Sequence, residues 1–448
     1  MANNRWRKIH QFVAFSGQGK KQAAYDDFML HADLDTRDAC EVEQLDNVTR
    51  RQEFDCDGVD LIKEPIANRF TQFRLTYSKF TAQIAARFTA YKEGVAAASS
   101  GAAANEVQTI TRNGTVSGGT FTISLTHEGK TGTTEAIAYD ATNAVILAAL
   151  LKKTGSSTAM GKLLKAGDVA VSGTWGTAIS LTFGGRYANT NMTEITTVDT
   201  SLTGGGSLDV ATSTPGDSEL HAISRSTDGT LPLFSMAMGD KNESVATQVF
   251  GNCSVESIDY NFSQGENVQM VVVINAYYVP ETTEAFDVPA CVNITPVKTE
   301  DCKFRINSVW ETPDVFSCNF SHANNIPVEA AFGYDDIDLT TAWQRGDNPT
   351  QGFTASIFGT SDTALYQLAE AEETAGNEVA WVIYLGNGGD RLTITSSTTK
   401  IYFQQTRTGF EGPLRQSTMN LVGSPHASPP LTFAYNGTQT ASFLVAST

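Results

Sequence analysis

The 448-residue chain has little charge, little cysteine and no long apolar run. Charged residues make up 18% of it, against about 25% in an average globular protein. Thr, Ser, Asn and Gly take their place, a β-rich and turn-rich composition. Lys and Arg number 31 against 49 Asp and Glu, for a formal charge of -18. That balance argues against a protein that grips phosphate backbones, which needs basic stripes. Six cysteines (Cys40, Cys56, Cys253, Cys291, Cys302 and Cys318) form no C-x-x-C pair, and none stands at zinc-ligand spacing from a histidine. Buried free thiols are therefore expected. The most apolar run, Met270 to Ile274, has strand length, far below the roughly 20 residues that span a bilayer. The apolar run Phe12 to Phe15 is too short for a signal-peptide core. These points predict a soluble protein made in the cytosol, with no membrane partner. A hydrophobic fraction of 41% is enough for real cores, and the length predicts two to four domains.

Catalytic constellations are missing as well. The six histidines are scattered, with no H-x-x-x-H, and there is no G-x-S-x-G elbow. Gly17-Gln18-Gly19-Lys20-Lys21 departs from a phosphate loop in glycine spacing and in lacking the hydroxyl residue. The clusters Asp55/Asp57/Asp60 and Asp335/Asp336/Asp338 lack the glycine turn and closing Glu of a calcium loop. No enzyme, cofactor or metal site is expected.

What is present is pattern. The stretch Ala96 to Ala104 (AAASSGAAA) reads as a linker. From Asn105 to Pro215 there is no Cys and no internal Pro, yet fifteen of the 37 glycines fall there. Charges in that stretch nearly cancel, with seven Lys/Arg against eight Asp/Glu, so the acidity belongs to the flanks. Phe121, Ile123 and Leu125 alternate with polar residues and predict a half-buried strand. A short strand at Ala136 to Tyr139 precedes a helix capped by Asp140 or Thr142, with Val145, Leu147, Ala148 and Leu151 as its apolar face. Strands at Val169/Val171 and Ile179/Leu181/Phe183 complete an expected strand-strand-helix-strand-strand order, a small α+β domain.

The flanks read as two copies of one unit. Phe73, Leu75 and Tyr77 alternate with polar residues ahead of a helix from about Thr81 to Glu93, with Ile84, Phe88 and Tyr91 at helical spacing. Phe353, Ala355 and Ile357 do the same ahead of a helix from about Ser361 to Thr374. The offset is 280 residues, and Cys40 matches Cys318 at 278. Downstream, strands at Leu231 to Met238, near Ile258 and from Val268 match strands at Val379 to Leu385, near Ile401 and from Leu414. Those offsets are 148, 143 and 146. The drop is about the size of the middle module with its linkers, which predicts a tandem duplication whose first copy is split by an insertion. The expected domains are 1–95 with 220–290, an inserted 96–219, and 291–448. Long polar segments follow the matching cysteine strands, Glu41 to Pro65 and Ile326 to Pro349. Their mixed charges, Glu43, Asp46, Arg50 and Arg51 in one and Asp335, Asp336, Asp338 and Arg345 in the other, suit register-setting contacts between subunits.

The segment Phe73 to Gly94 (FRLTYSKFTAQIAARFTAYKEG) resembles the strand-helix stretch of major tail tube proteins of long-tailed bacteriophages. Phe316 to Ile326 (FSCNFSHANNI) through Gly352 to Phe358 (GFTASIF) is similar to the same family. The middle module, with Gly119 to Leu125 (GTFTISL) and Ala136 to Thr142 (AIAYDAT), resembles a small decoration domain of phage structural proteins. The resemblance implies a mainly β fold: two tandem β-sandwich or half-barrel units, each with one short helix, plus the inserted α+β domain. It implies homotrimeric rings with pseudo-sixfold symmetry, stacked into a tail tube in the virion and assembled in the host cytoplasm. Expected partners are further copies of the chain and other tail proteins (tape measure, terminator, initiator complex). DNA would pass through a negatively charged lumen without specific binding. A capsid or head-decoration protein lacks support, since no spine helix longer than about 14 residues is expected. A surface adhesin would want a secretion signal.

Overall fold

A computed structural model describes residues 11–16, 28–30, 40–47, 70–96, 104–127, 130–153, 159–217, 219–226, 229, 231–240, 248–263, 265–279, 295–306, 309–310, 315–324, 326, 350–358, 371, 374–376, 378–387, 389–404, 416–423, 431–437 and 443–444. The fold is mainly β, with antiparallel sheets and two short α-helices among the described residues. Of the second expected flank helix, residues 371 and 374 are described, both helical; the rest of Ser361 to Thr374 lies outside the described residues.

One run of eight strands organises the flanks. Its first four are β3 (Cys40–Asn47), β4 (Phe70–Tyr77), β17 (Gln269–Val279) and β16 (Gln248–Ser263), hydrogen-bonded in that order. The next four are β20 (Val315–Ala323), β21 (Thr350–Phe358), β24 (Gln416–Gly423) and β23 (Asp390–Gln404), again in that order. A seam between β16 and β20 joins the two sets, with Tyr260 opposite Phe320 and Ile258 opposite His322. Each set continues outward through comparable strands. β16 pairs with β15 (Phe234–Asp240), which pairs with β1 (Gln11–Ser16) and through it β2 (Phe28–Leu30). β23 pairs with β22 (Glu378–Asn387), which pairs with β18 (Lys303–Ile306) and through it β19 (Val309–Trp310).

The registers run in parallel too. Across the first set Val42 stands opposite Leu75, Leu75 opposite Val272, and Val272 opposite Ile258. Across the second, Phe320 stands opposite Phe353, Phe353 opposite Leu421, and Leu421 opposite Ile401. Leu75, not Phe73, thus occupies the place of Phe353. Sequence spacing suggested the Phe73 match. A slip of two residues keeps every side chain on its own face, so alternation alone cannot detect it.

One face of the run is packed. Tyr77, Ile258, Tyr260, Met270, Val272, Ile274 and Phe320 are fully buried. Against them lies α1 (Ala82–Glu93), which contacts β16 and β23 and also strands of an outer layer. Thr81 Oγ1 accepts the Ile84 N–H at 3.3 Å and starts this helix. Gly94, at φ 96°, ends it by sending its N–H to the Ala90 carbonyl. Tyr77 meets Phe88 and Tyr91 meets Phe234, at ring separations of 5.9 and 5.2 Å. The outer layer is β5 (Gly94–Ala96), β14 (Glu219–Arg225) and β25 (Thr432–Gly437), which returns to β23.

Between β5 and β14 the chain makes a separate pair of sheets. One holds β10 (Val169–Thr174), β11 (Ala178–Phe183), β6 (Val107–Asn113) and β13 (Ser207–Thr214). The other holds β12 (Thr196–Thr203), β7 (Gly118–His127) and β8 (Lys130–Thr133), with β9 (Ile137–Ala138) against β7. Phe121, Ile123 and Leu125 are buried with Ile110, Ile179, Leu181 and Phe183 in a core that shares no residue with the main one. Strands β8, β12 and β13 escaped the sequence reading because Thr, Ser and Gly make up half or more of each, and β6 (VQTITRN) because only Val107 and Ile110 in it are apolar. The helix α2 (Asn143–Leu150) buries Ile146 and Leu150, while Val145 is exposed. Of its expected face, Leu147 and Leu151 pack half-buried against this core, whereas Val145 and Ala148 are exposed and Ile146 and Leu150 take the fully buried places. A run as uniformly apolar as NAVILAAL has no periodic contrast from which to choose a face.

Candidate functional site

The strand pleat sends alternate residues of the eight-strand run away from α1. On β16 the half-exposed set is Ser257, Asp259 and Asn261; on β20 it is Asn319 and Ser321; on β4 it is Gln72, exposed Arg74 and Thr76. Registers bring them into rows. Asp259 stands opposite Ser321 on one side and Val271 on the other, and Asn261 stands opposite Asn319. The Asn319 amide donates to the Asn261 carbonyl oxygen. Asn261 in turn donates to Gln269 at 3.2 Å, and Gln72 donates to Asn275 at 2.9 Å. The result is a largely polar, hydrogen-bonded sheet face, with half-buried Val271 and Val273 of β17 between its polar rows, backed by an apolar one. Burial pushes the Asp259 carboxyl up, and the nearby Arg74 guanidinium partly opposes the shift.

At the seam, below this face, lies a buried polar cluster. Lys92, Glu93, His322 and Asn324 are all nearly inaccessible. Lys92 Nζ lies 2.8 Å from Glu93 Oε1, and His322 Nδ1 lies 3.5 Å from the same oxygen. The Asn324 amide donates to the carbonyls of Lys92 and Val255, each at 3.0 Å. Burial alone would raise the Glu93 carboxyl, but Lys92 and His322 outweigh it and hold the group far below the usual carboxylate range. Glu256 ties down the chain that leaves β20: its carboxylate accepts the Ile326 N–H at 3.1 Å, and its carbonyl accepts the Asn324 N–H at 2.8 Å. A continuous set of bonds thus links α1, β16 and β20. Sequence reading missed this cluster, because charges ending a helix look like a solvated terminus.

Of the expected subunit-contact residues, Glu43 and Asp46 are described. Both lie within β3, opposite Arg74 and Gln72, so the segment expected to begin as a loop at Glu41 begins as a strand. Its Glu and Gln content hid a strand whose pairing comes from β4. Arg50, Arg51, Asp335, Asp336, Asp338 and Arg345 lie outside the described residues, as does most of Ile326 to Pro349. Cys253 and Cys302 are buried free thiols, and Cys318 is a half-buried one. Burial pushes Cys302 up to about 12 and raises Cys253 and Cys318 as well. Among the described residues no group of three or more His, Cys, Asp or Glu could hold a metal ion. No described helix is long and apolar enough to cross a membrane.

A scan against protein-family models gives no match, and a search of curated proteins gives none either.

Proposed function

We propose that the chain is a structural subunit of a phage tail tube, closing with copies of itself into rings that stack around a DNA conduit. One observation carries this reading. The strand order and register of β3-β4-β17-β16 recur in β20-β21-β24-β23, and among the described residues the run stops at two edges that repeat the two sides of its internal seam. A β-edge left open is a template for another chain, and closure into a barrel removes every edge. The row that enters the first set at Cys40 and passes Tyr77, Met270 and Tyr260 continues at Phe320, whose counterpart is Val42, not Cys40. This two-residue stagger per set is the shear that tilted barrel strands require.

The chain then contains two tandem units, each with one helix, and three copies make a ring of six units. The polar face lines the lumen, where Asp259 is a described carboxylate and acidic net charge keeps phosphate from binding. The insertion of residues 96–219 in the first unit is supported by its separate core and by the pairing of β5 with β14 at its base. Electron microscopy of the concentrated protein tests the reading. Hollow tubes with a regular axial repeat are expected. Monomers under all conditions, including with tail initiators, would sink it.

A further inference from the structure

We infer that β3 of one copy adds antiparallel to the end of β23 in the next, with Val42 opposite Phe403. This inference rests on the ring reading and assigns the strands and register of the contact. Among the described strands β3 pairs only with β4. The strand β23 pairs with β22 as far as Lys400, and from Ile401 to Gln404 its only described partner is β24. Each edge has a counterpart inside the chain: β3 corresponds to β20, and Ile401–Gln404 corresponds to Ile258–Asn261. Those counterparts are already bonded to each other at the internal seam, where Ile258 to Asn261 face His322 to Asn319.

Transferring that register residue by residue gives the intermolecular pairs. Ile401 falls opposite Gln44, Tyr402 opposite Glu43, Phe403 opposite Val42, and Gln404 opposite Glu41. The chemistry of the transferred pairs agrees. At the internal seam Tyr260 faces Phe320, and the equivalent pair Phe403 and Val42 is again apolar on apolar. Asn261 and Asn319 share an amide hydrogen bond, and the equivalent pair sets the Gln404 amide opposite the Glu41 carboxylate. A register shifted by one residue would put Val42 opposite Tyr402 or Gln404 and send it to the other face from Phe403.

The seams differ in one respect. His322 and Asn324 correspond to Gln44 and Asp46, and Glu256 corresponds to Thr399, so the buried ion pair with histidine belongs to the covalent seam alone. The seam between chains is left with strand pairing and apolar contact, which suits a joint made during assembly.

The test is a disulfide trap in the full chain. Val42→Cys with Phe403→Cys, assembled and then oxidised, is expected to give covalent oligomers whose linking peptides join position 42 of one copy to position 403 of another. Val42→Cys alone should give none, and Phe403→Cys alone at most a weak link to native Cys40, two residues out of register. Gln44→Cys with Phe403→Cys, two residues out of register, should link poorly. Hydrogen exchange on the unmodified protein gives a second measure, with the amides of Glu41 to Leu45 and Ile401 to Gln404 gaining protection on assembly. Tubes without the 42–403 link, or with a better 44–403 link, overturn the register and leave the ring reading standing. Tubes whose Ile401 to Gln404 amides gain no protection overturn the choice of strand. An unmodified chain that never assembles overturns the ring reading and this inference together.

Discussion

Asp390, the first residue of β23, accepts the backbone N–H of Ala82 at 3.0 Å, and so caps α1 from a hairpin 308 residues further along the chain. The Tyr435 hydroxyl donates to its other oxygen at 2.9 Å. Helix and hairpin belong to different units in the duplicated reading, so this carboxylate fastens one unit to the other. Gly386 makes the approach possible: at φ 94° it lets the hairpin close, and a Cβ there would lie 2.3 Å from the Asp390 carbonyl oxygen and 3.3 Å from Ala82 Cβ.

Asp390→Ala is expected to cost about 2–3 kcal/mol, from a lost helix cap plus a buried tyrosine hydroxyl without its acceptor. Asp390→Asn should cost less. It keeps an acceptor oxygen and removes a charge whose burial pushes the carboxyl up, against the bonds from Tyr435 and the helix N-terminus. Urea denaturation of the unassembled protein, followed by the fluorescence of buried Trp381, measures both. An Asp390→Ala midpoint equal to that of the parent would remove the capping role.

Glu93→Gln should destabilise the protein by about 3–5 kcal/mol at neutral pH, because it leaves the Lys92 ammonium buried without its carboxylate. The pH dependence has a definite sign. The folded carboxyl sits far below its unfolded value of 4.5 despite burial, since Lys92 and His322 favour the charged form. Its stabilisation is complete above that unfolded value and is lost as pH falls toward the folded one. The stability gap between parent and variant should shrink steadily as pH falls below about 4.5. A gap that widened below about 4.5 would contradict the arrangement of charges at the seam.

Local features were legible in the sequence wherever burial is one-sided. Phe121, Ile123 and Leu125 announced β7, and Ile84, Phe88 and Tyr91 announced α1 between Thr81 and Gly94. Cys40 and Cys318, 278 residues apart, stand opposite Tyr77 and Ala355, which are also 278 residues apart. Three kinds of information were absent. Two-residue slips leave no trace in an alternating pattern, so Phe73 was matched where Leu75 belongs. Polar strands such as β12 and β13 take their order from neighbours. The contacts of Lys92, Glu93, His322 and Asp390 join distant segments, and no local spacing reports a partner hundreds of residues away.

Phe121→Ala tests the independence of the two cores. Phe121 is 2% exposed and packs edge-on against Trp175 at a ring separation of 5.6 Å. Truncation should cost about 3–5 kcal/mol within its own core. Since the two clusters share no residue, calorimetry should show one transition moving down while another holds its temperature. A concerted shift of the whole unfolding profile would mean that the cores fold as one unit.

The base of the middle module predicts how it can be removed. Ala104 and Asp217 exchange both backbone hydrogen bonds, at 2.7 and 2.9 Å, so their Cα atoms stand about 5.5 Å apart. A two-residue Asn-Gly turn spans such a pair. Replacing residues 105–216 by Asn-Gly should therefore leave β5, β14 and the main core in place. The charge of the remaining protein barely changes, since the excised stretch is nearly neutral. The shortened chain is expected to keep the near-ultraviolet dichroism of its buried aromatic residues and to form tubes of smaller outer diameter with the same axial repeat. Loss of the dichroism would show that the module is needed for folding. Retained dichroism with no tubes would place it in the contacts between copies instead of on the outside.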